Sequence, residues 1–215
     1  MNQDYWIRTF TQMEAFWKHD GRANRPHALL TKGGHSDGFF NWSMVAQFPL
    51  VEKHVVADLF ERLNERTGLT PFPFSAVCAP GNGAITLSQS LAREMGEKIK
   101  PRIRGIFTEK KDGRVCLDRF SVKQGEHVIV CEDTITSGGS VTETIRAVEA
   151  AGGICSPFIL CVCNRSGTAQ IGEREIIPLI EVPMNNWAAS ECPLCKQGSK
   201  AIPPKKENWQ HLTGG

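Results

Sequence analysis

The sequence predicts an α/β fold, with a central, mostly parallel sheet flanked by helices, a small N-terminal segment and a C-terminal tail. Three observations carry this. Short apolar runs of strand length alternate with longer stretches of helical period, the pattern of βαβ units. Val128, Ile129, Val130 and Cys131 form a run that is apolar on both faces, as a central parallel strand requires. Directly after it, a turn rich in glycine and hydroxyls opens a segment in which Val141, Ile145, Val148 and Ala151 recur at helical spacing.

Taken in order, Trp6, Ile7, Phe10, Met13 and Trp17 recur at three- and four-residue steps, which predicts an amphipathic helix over 4–19 that ends near Gly21. Residues 26–41 are turn-rich. Pro49 opens a second helix whose apolar face is Val51, Val55, Val56, Leu59, Phe60 and Leu63, stopped by Gly68. A strand over 74–79, a turn at Pro80-Gly-Asn-Gly83, a helix over 84–95 and a strand over 103–107 follow. The charged stretch 108–118, with its Lys-Asp-Gly turn, reads as a mobile hairpin or loop outside the core. Two more strands are expected over 154–163 and 176–182, before a remainder rich in Pro, Lys and Asn. These elements divide the chain into an N-terminal helix and hood segment (1–48), a catalytic core (49–185) and a tail carrying a CxxC (186–215), with no internal repeat.

A chain of 215 residues is long enough for one α/β catalytic domain with appendages. Lys and Arg number 25 against 23 Asp and Glu, so there is no basic field of the kind that recruits nucleic acid. No apolar run approaches the ~18 residues of a membrane span, and the N-terminus lacks the basic-then-apolar order of a signal peptide. The expectation is a soluble cytoplasmic protein with neither nucleic-acid nor membrane partners. Of the eight cysteines, Cys78, Cys131, Cys161 and Cys163 lie in apolar strand-like runs, where a thiol acts as a small hydrophobe. Reduced cysteine fits that compartment.

The run His127-Val-Ile-Val-Cys-Glu-Asp-Thr-Ile-Thr-Ser-Gly-Gly-Ser140 carries the chemistry. Ligands of open α/β sheets bind beyond the carboxyl ends of the strands, and a helix N-terminus offers unpaired N–H groups to an anion. Gly138 and Gly139 permit close backbone approach, and Thr134, Thr136, Ser137 and Ser140 supply hydroxyls beside the amides. Glu132 and Asp133 are acceptor-only groups suited to the vicinal hydroxyls of a ribose or to a bound magnesium. Together these residue types describe a ribose 5-phosphate site. An ordinary capped βα turn with solvated acids is the blander reading. It does not explain why every residue from 134 to 140 except Ile135 is glycine or hydroxylated.

An apolar strand, two acids and a Thr/Ser/Gly loop closely resemble the signature of the type I phosphoribosyltransferases. The order of parts over about residues 27–168 further resembles the orotate phosphoribosyltransferase group. His27-Ala-Leu-Leu-Thr-Lys-Gly-Gly-His-Ser-Asp-Gly-Phe-Phe-Asn41 looks like that group's hood and base-binding segment, in which Phe39 and Phe40 would stack on a planar base. Thr31 stands where the family has a lysine, and the neighbouring Lys32 is the candidate substitute. Ala79-Pro-Gly-Asn-Gly-Ala84 resembles the loop that cradles the pyrophosphate of phosphoribosyl pyrophosphate (PRPP), through Gly81, Asn82 and Gly83, without the lysine usual near Asn82.

Thr108-Glu-Lys-Lys-Asp-Gly-Arg114 resembles the flexible catalytic loop, which makes Lys110, Lys111 and Arg114 candidates. The basic pair that usually opens the loop reads Phe107-Thr108 here. Arg165, in Cys163-Asn-Arg-Ser-Gly167, falls where the family holds the base carboxylate. The resemblance implies PRPP with Mg2+ as donor, orotate as the favoured nucleobase, released pyrophosphate and a homodimer serving pyrimidine nucleotide biosynthesis. It assigns catalysis and magnesium to Glu132 and Asp133, and the PRPP phosphate to the segment Thr134, Ile135, Thr136, Ser137, Gly138, Gly139 and Ser140. A transferase for a purine or other base, and a PRPP- or nucleotide-binding regulator, are the alternatives.

Cys192-Pro-Leu-Cys195 supplies two ligands where a structural zinc site needs four. Cys161 and Cys163, or the same pair from another subunit, are the sequence candidates to complete it, against a thioredoxin-like redox role, for which no thioredoxin-like context surrounds the motif, and a plain tail turn with unpaired thiols.

Overall fold

The computed structural model of the chain describes residues 1–68, 73–99, 102–204 and 208–213. In chain order the elements are α1 (Gln3–Gln12), β1 (Phe16–Lys18), β2 (His27–Leu29), β3 (His35–Ser36), β4 (Gly38–Phe40), α2 (Ser43–Ala46) and α3 (Pro49–Thr67). The alternating part follows as β5 (Ala76–Ala79), α4 (Ile85–Lys98), β6 (Arg104–Phe107), β7 (Glu109–Lys111), β8 (Arg114–Cys116), β9 (His127–Ile135), α5 (Gly139–Ala150), β10 (Ile154–Asn164), β11 (Gln170–Ile171) and β12 (Arg174–Glu181). The C-terminal part holds β13 (Asn186–Trp187), α6 (Pro193–Lys196), β14 (Ala201–Ile202) and α7 (Asn208–Thr213).

The chain forms two compact units. One comprises Ala46–Val182 together with Met1, the other Asn2–Val45 with Pro183–Gly215. The first unit carries the α/β sheet, and the N-terminal segment and the tail, expected as separate parts, belong to one unit. The sheet runs β11-β12-β10-β9-β5-β6, parallel throughout except for the short edge strand β11. β9 lies at the centre, pairing with β10 through Leu160↔Cys131 and with β5 through Cys78↔Val130. Val130, Ile135, Val141, Ile145, Ile159, Cys161 and Ile176 form one buried cluster, which explains the apolar periodicity of β9 and α5. The four strand cysteines are fully buried, and burial pushes the Cys78 and Cys163 thiols up to about 12, so they act as hydrophobes, as expected.

β9 extends beyond the predicted 128–131, because its pairing with β10 continues through Cys163↔Thr134 and Asn164↔Ile135. Glu132 and Asp133 therefore stand within the strand and not after it. The 108–118 segment is an antiparallel hairpin, β7 with β8, in register Lys111↔Arg114. Asp112 (φ 50°) and Gly113 (φ 78°) form its two-residue turn, with positive φ at both central positions as such hairpins prefer.

The second unit departs most from expectation. The helix predicted over 4–19 stops at Gln12, and Phe16–Lys18 pairs antiparallel with Gly38–Phe40. The stop is a Schellman motif: Glu14 takes φ 55°, the Ala15 amide donates to Phe10 O at 2.8 Å, and the Glu14 amide donates to Thr11 O at 3.1 Å. Because glutamate fills the position glycine usually marks, the apolar period ran on through Trp17. That residue instead packs from its strand with Ala28, Trp209 and Leu212. The turn-rich stretch 26–41 contains three short strands, and the tail is built into a four-stranded sheet, β13-β3-β2-β14, with two of them.

Candidate active site

The carboxyl edge of the parallel sheet assembles the predicted groups of the first unit. The turn after β5 approaches the end of β6 so closely that a β-carbon on Gly81 would fall 2.5 Å from Thr108 O. The Thr108 amide donates to Ala79 O at 2.9 Å and fixes this approach. Asn82 itself holds φ 74°, a left-handed conformation that asparagine tolerates better than most residues. Next to it, Gly83 faces the neighbouring strand: a β-carbon there would lie 3.0 Å from Asp133 Oδ2. The loop resembling a pyrophosphate cradle and the acidic pair thus meet at Gly83 and Asp133.

Glu132 is 7% exposed, and its Oε1 accepts the Asp133 amide at 3.2 Å. Burial first, and then the Asp133 carboxylate beside it, push the Glu132 carboxyl well above the ordinary range. Burial also raises Asp133, against hydrogen bonds from Glu132 and from backbone amides that favour its ionised form. A cation or a set of hydroxyl donors beside the pair would favour its ionised form.

Beyond the acids, Glu132 and residues 134–141 line a small cleft of about 70 Å³ that opens to solvent, on the scale of a phosphate group. α5 begins at Gly138 (φ 76°, ψ 4°) with no side-chain cap and no acid in its first turn. Its first amides, beside the cleft, therefore lack the side-chain acceptor that most helices place there. Gly138 is required: a β-carbon would meet Ile171 Cδ1 at 2.7 Å, and its φ is one that side chains rarely adopt. Gly139 has only Ser137 Oγ nearby, at 3.7 Å from such a carbon.

No protein-family model matches the chain. Among curated proteins it is 33% identical over 205 residues to the orotate phosphoribosyltransferase of Heliobacterium modesticaldum, covering 95% of this chain and 98% of that protein. It is 34% identical to that of Desulforamulus reducens, over 95% of this chain and 97% of the relative. The chain belongs to the orotate phosphoribosyltransferase family. Solved structures agree on the phosphoribosyltransferase fold. The orotate phosphoribosyltransferase of Aeropyrum pernix superposes with a TM-score of 0.59 at 18% identity, over 81% of this chain and 92% of that one. The adenine phosphoribosyltransferase of Thermoanaerobacter pseudethanolicus does so at 0.57 and 15% identity, over 81% of this chain and 99% of its own. Architecture alone therefore does not select the base.

The remaining residues picked out by resemblance to the orotate phosphoribosyltransferases fall in both units. Arg165, in the first, is 5% exposed, and its amide donates to Ile135 O at 3.0 Å, placing it directly beside the 134–140 segment. Lys110, Lys111 and Arg114 are exposed on the β7–β8 hairpin, and Lys111 pairs with Asp118 at 2.7 Å. In the second unit, Phe40 is a core residue: it is 6% exposed and packs edge-on against Phe10 at 5.3 Å. Phe39, on the opposite face of the strand, rests on the Trp17 and Trp209 cluster. Both rings of the aromatic pair thus have packing roles. Lys32 lies exposed beside Thr31 in the turn between β2 and β3, which is closed by the Leu30 amide donating to Gly34 O at 2.7 Å.

Sequence reading missed Thr108 and Thr144, whose buried hydroxyls bond each other at 3.0 Å and join the end of β6 to α5. A lone hydroxyl in a strand end and another in a helix give no sequence signal for such a pairing. The expectation that Cys161 and Cys163 join Cys192 and Cys195 is also corrected. Cys161 and Cys163 point into the strand core of the first unit, whereas the groups gathered around Cys192 and Cys195 are His27 and His35.

Proposed function

We propose that this protein transfers the ribose 5-phosphate of PRPP to orotate and releases pyrophosphate. The observation that carries the proposal is the Asp133 carboxylate set against Gly83, since it joins the acidic strand end to the glycine loop over which a pyrophosphate would lie. In the reaction the C1–O bond to pyrophosphate breaks with its electron pair leaving on the pyrophosphate. A ring nitrogen of the base bonds to C1 and gives up its proton. Developing positive charge on the ribose ring favours nearby carboxylates, and Glu132 and Asp133 supply them while accepting from the ribose hydroxyls. Magnesium, which suits oxygen ligands and keeps several waters, would be held at this pair and would neutralise charge on the departing pyrophosphate.

The amides of Gly138, Gly139 and Ser140, with the hydroxyls of Thr134, Thr136 and Ser137, anchor the 5-phosphate. That anchoring fixes C1 without contact at the reacting bond. The buried guanidinium of Arg165 suits a planar carboxylate, which favours orotate over bases that lack one. Lys110, Lys111 and Arg114 sit on the hairpin that would close over the leaving group and exclude water. The assembly is a cytoplasmic homodimer on this reading. Product analysis tests it: incubation with PRPP, magnesium and a panel of orotate, uracil and purines should yield orotidine monophosphate alone. Another nucleotide would reassign the base pocket to a different base. PRPP binding without any product would favour a regulatory protein.

A further inference from the structure

We propose that His27, His35, Cys192 and Cys195 form a structural zinc site that ties the C-terminal segment to the N-terminal strands of the second unit. The proposal is independent of the transferase reading. One ligand atom from each of the four residues lies within 4.8 Å of all the others. Two imidazoles and two thiols are a complete tetrahedral set with no open position, the composition of structural zinc sites and not of catalytic ones.

Both halves of the site are built by backbone geometry. β2 and β3 pair antiparallel in register Leu29↔His35, so His27, two residues before Leu29 and on the same face, is the diagonal neighbour of His35. Cys192 and Cys195 flank one helical turn, where a spacing of three residues puts both sulfurs on one side. That turn is closed by the Lys196 amide donating to Cys192 O at 3.3 Å and the Gly198 amide donating to Cys195 O at 3.0 Å.

The distances match a shared metal better than pairwise hydrogen bonds. His27 Nε2 lies 3.0 Å from His35 Nδ1, 3.4 Å from Cys192 Sγ and 3.5 Å from Cys195 Sγ, and Cys195 Sγ lies 3.3 Å from His35 Nδ1. A tetrahedral zinc with ordinary bond lengths has edges of about 3.3 Å between nitrogens and about 3.6 Å between nitrogen and sulfur. A single imidazole lone pair can accept one proton, yet three groups converge on Nε2. A cation at their centre satisfies all of them together.

The second face of His27 supports the same assignment. Ser199 Oγ donates to Arg25 O and so presents its lone pair to His27 Nδ1 at 2.7 Å. The Nδ1 proton then belongs to this bond, and Nε2 is left bare toward the cluster, as the outer partner of a zinc-bound histidine arranges. His27 is 0%, Cys192 1% and His35 7% exposed, so water does not serve these groups. Trp17, Ala28, Trp209 and Leu212 form an apolar cluster on the strand next to His27, so the residues that pack the tail lie beside the site.

Metal analysis of untagged full-length protein tests this. The expected result is about one zinc per chain, since structural sites fill stoichiometrically. Less than about 0.2 zinc per chain would overturn the proposal. Cys195→Ser should lose the zinc, whereas stoichiometric zinc retained in both Cys192→Ser and Cys195→Ser would overturn the ligand set. Should those variants not fold, Ser199→Ala provides a milder probe: chelator competition should show zinc held about 10- to 100-fold more weakly. Unchanged affinity would remove the role given to Ser199. Cobalt in place of zinc should give the intense visible spectrum of tetrahedral, sulfur-ligated cobalt, and a weak octahedral spectrum would count against the site.

Discussion

Asp133 fills the space that a side chain on Gly83 would need: a β-carbon there would come within 3.0 Å of Asp133 Oδ2 and 3.5 Å of its Cγ. The carboxylate therefore keeps its position only because Gly83 carries no side chain. Gly83→Ala should push Asp133 out of place and lower kcat/KM for PRPP by about tenfold or more, the loss of one charge-assisted contact. The fold should survive, because the displaced group is the end of one side chain. Steady-state kinetics beside a thermal melt separates the two effects.

Asp133→Asn removes the charge without the bulk. Turnover with magnesium and PRPP should again fall by at least about tenfold, with the protein still folded. Kinetics at saturating magnesium checks this, and unchanged rates would take Asp133 out of the site.

Glu132 gives a pH signature of its own. Its folded-state pKa is raised, so above the ordinary carboxylate range the folded chain holds more protons than the unfolded one. Stability must then fall as pH rises through that window, the opposite of a salt-bridged acid. Glu132→Gln relieves the buried charge. It should stabilise the protein at pH 8 relative to wild type by an amount on the order of 1 kcal/mol, a few degrees in Tm, and by much less at pH 5. The same linkage predicts that PRPP binding releases protons and tightens as pH rises. Paired melts at the two pH values, with calorimetry in buffers of different ionisation enthalpy, test both.

Much of this was legible in the residues because the two periods, of strand and of helix, hold wherever an element is buried on a sheet. β9, α5 and the surrounding strands follow that rule, and the run of glycine and hydroxylated residues over 134–140 stands out by composition alone. The sequence was silent where one residue stands in for the usual marker. Glu14 replaces a glycine at a helix end, so Trp17 was read as helix. His27 and His35 lie far along the chain from Cys192 and Cys195, and only the pairing of strands β2 and β3 brings the histidines together. Aromatic residues carry the same ambiguity: Phe39 and Phe40 could stack or pack, and the alternation of β4 sends Phe40 against Phe10.

The hairpin lysines separate closure from binding. Lys111 is held by Asp118 in an exposed ion pair that solvent and salt screen. Such a pair breaks readily when a polyanion arrives. Lys110→Ala and Lys111→Ala should therefore lower kcat by about tenfold or more while Tm stays within a degree or two of wild type. Equal losses in Tm would mean that the hairpin is structural. Single-turnover kinetics with the two variants reads the chemical step directly.

Gly138 sets the strictest geometric demand in the cleft. Its φ of 76° is one that side chains rarely adopt, and a β-carbon would meet the Ile171 methyl at 2.7 Å, so a side chain there strains the start of α5 and displaces Ile171. Gly138→Val should abolish PRPP binding by calorimetry, because the amides that would hold the 5-phosphate turn away with the helix end. Inorganic phosphate, which needs the same amides and nothing from the acids or the base pocket, should fail to bind as well. In Asp133→Asn, by contrast, inorganic phosphate should bind as in wild type. That contrast assigns the phosphate to the helix end and the ribose to the acids, and Gly138→Val with undiminished phosphate affinity would place the 5-phosphate elsewhere.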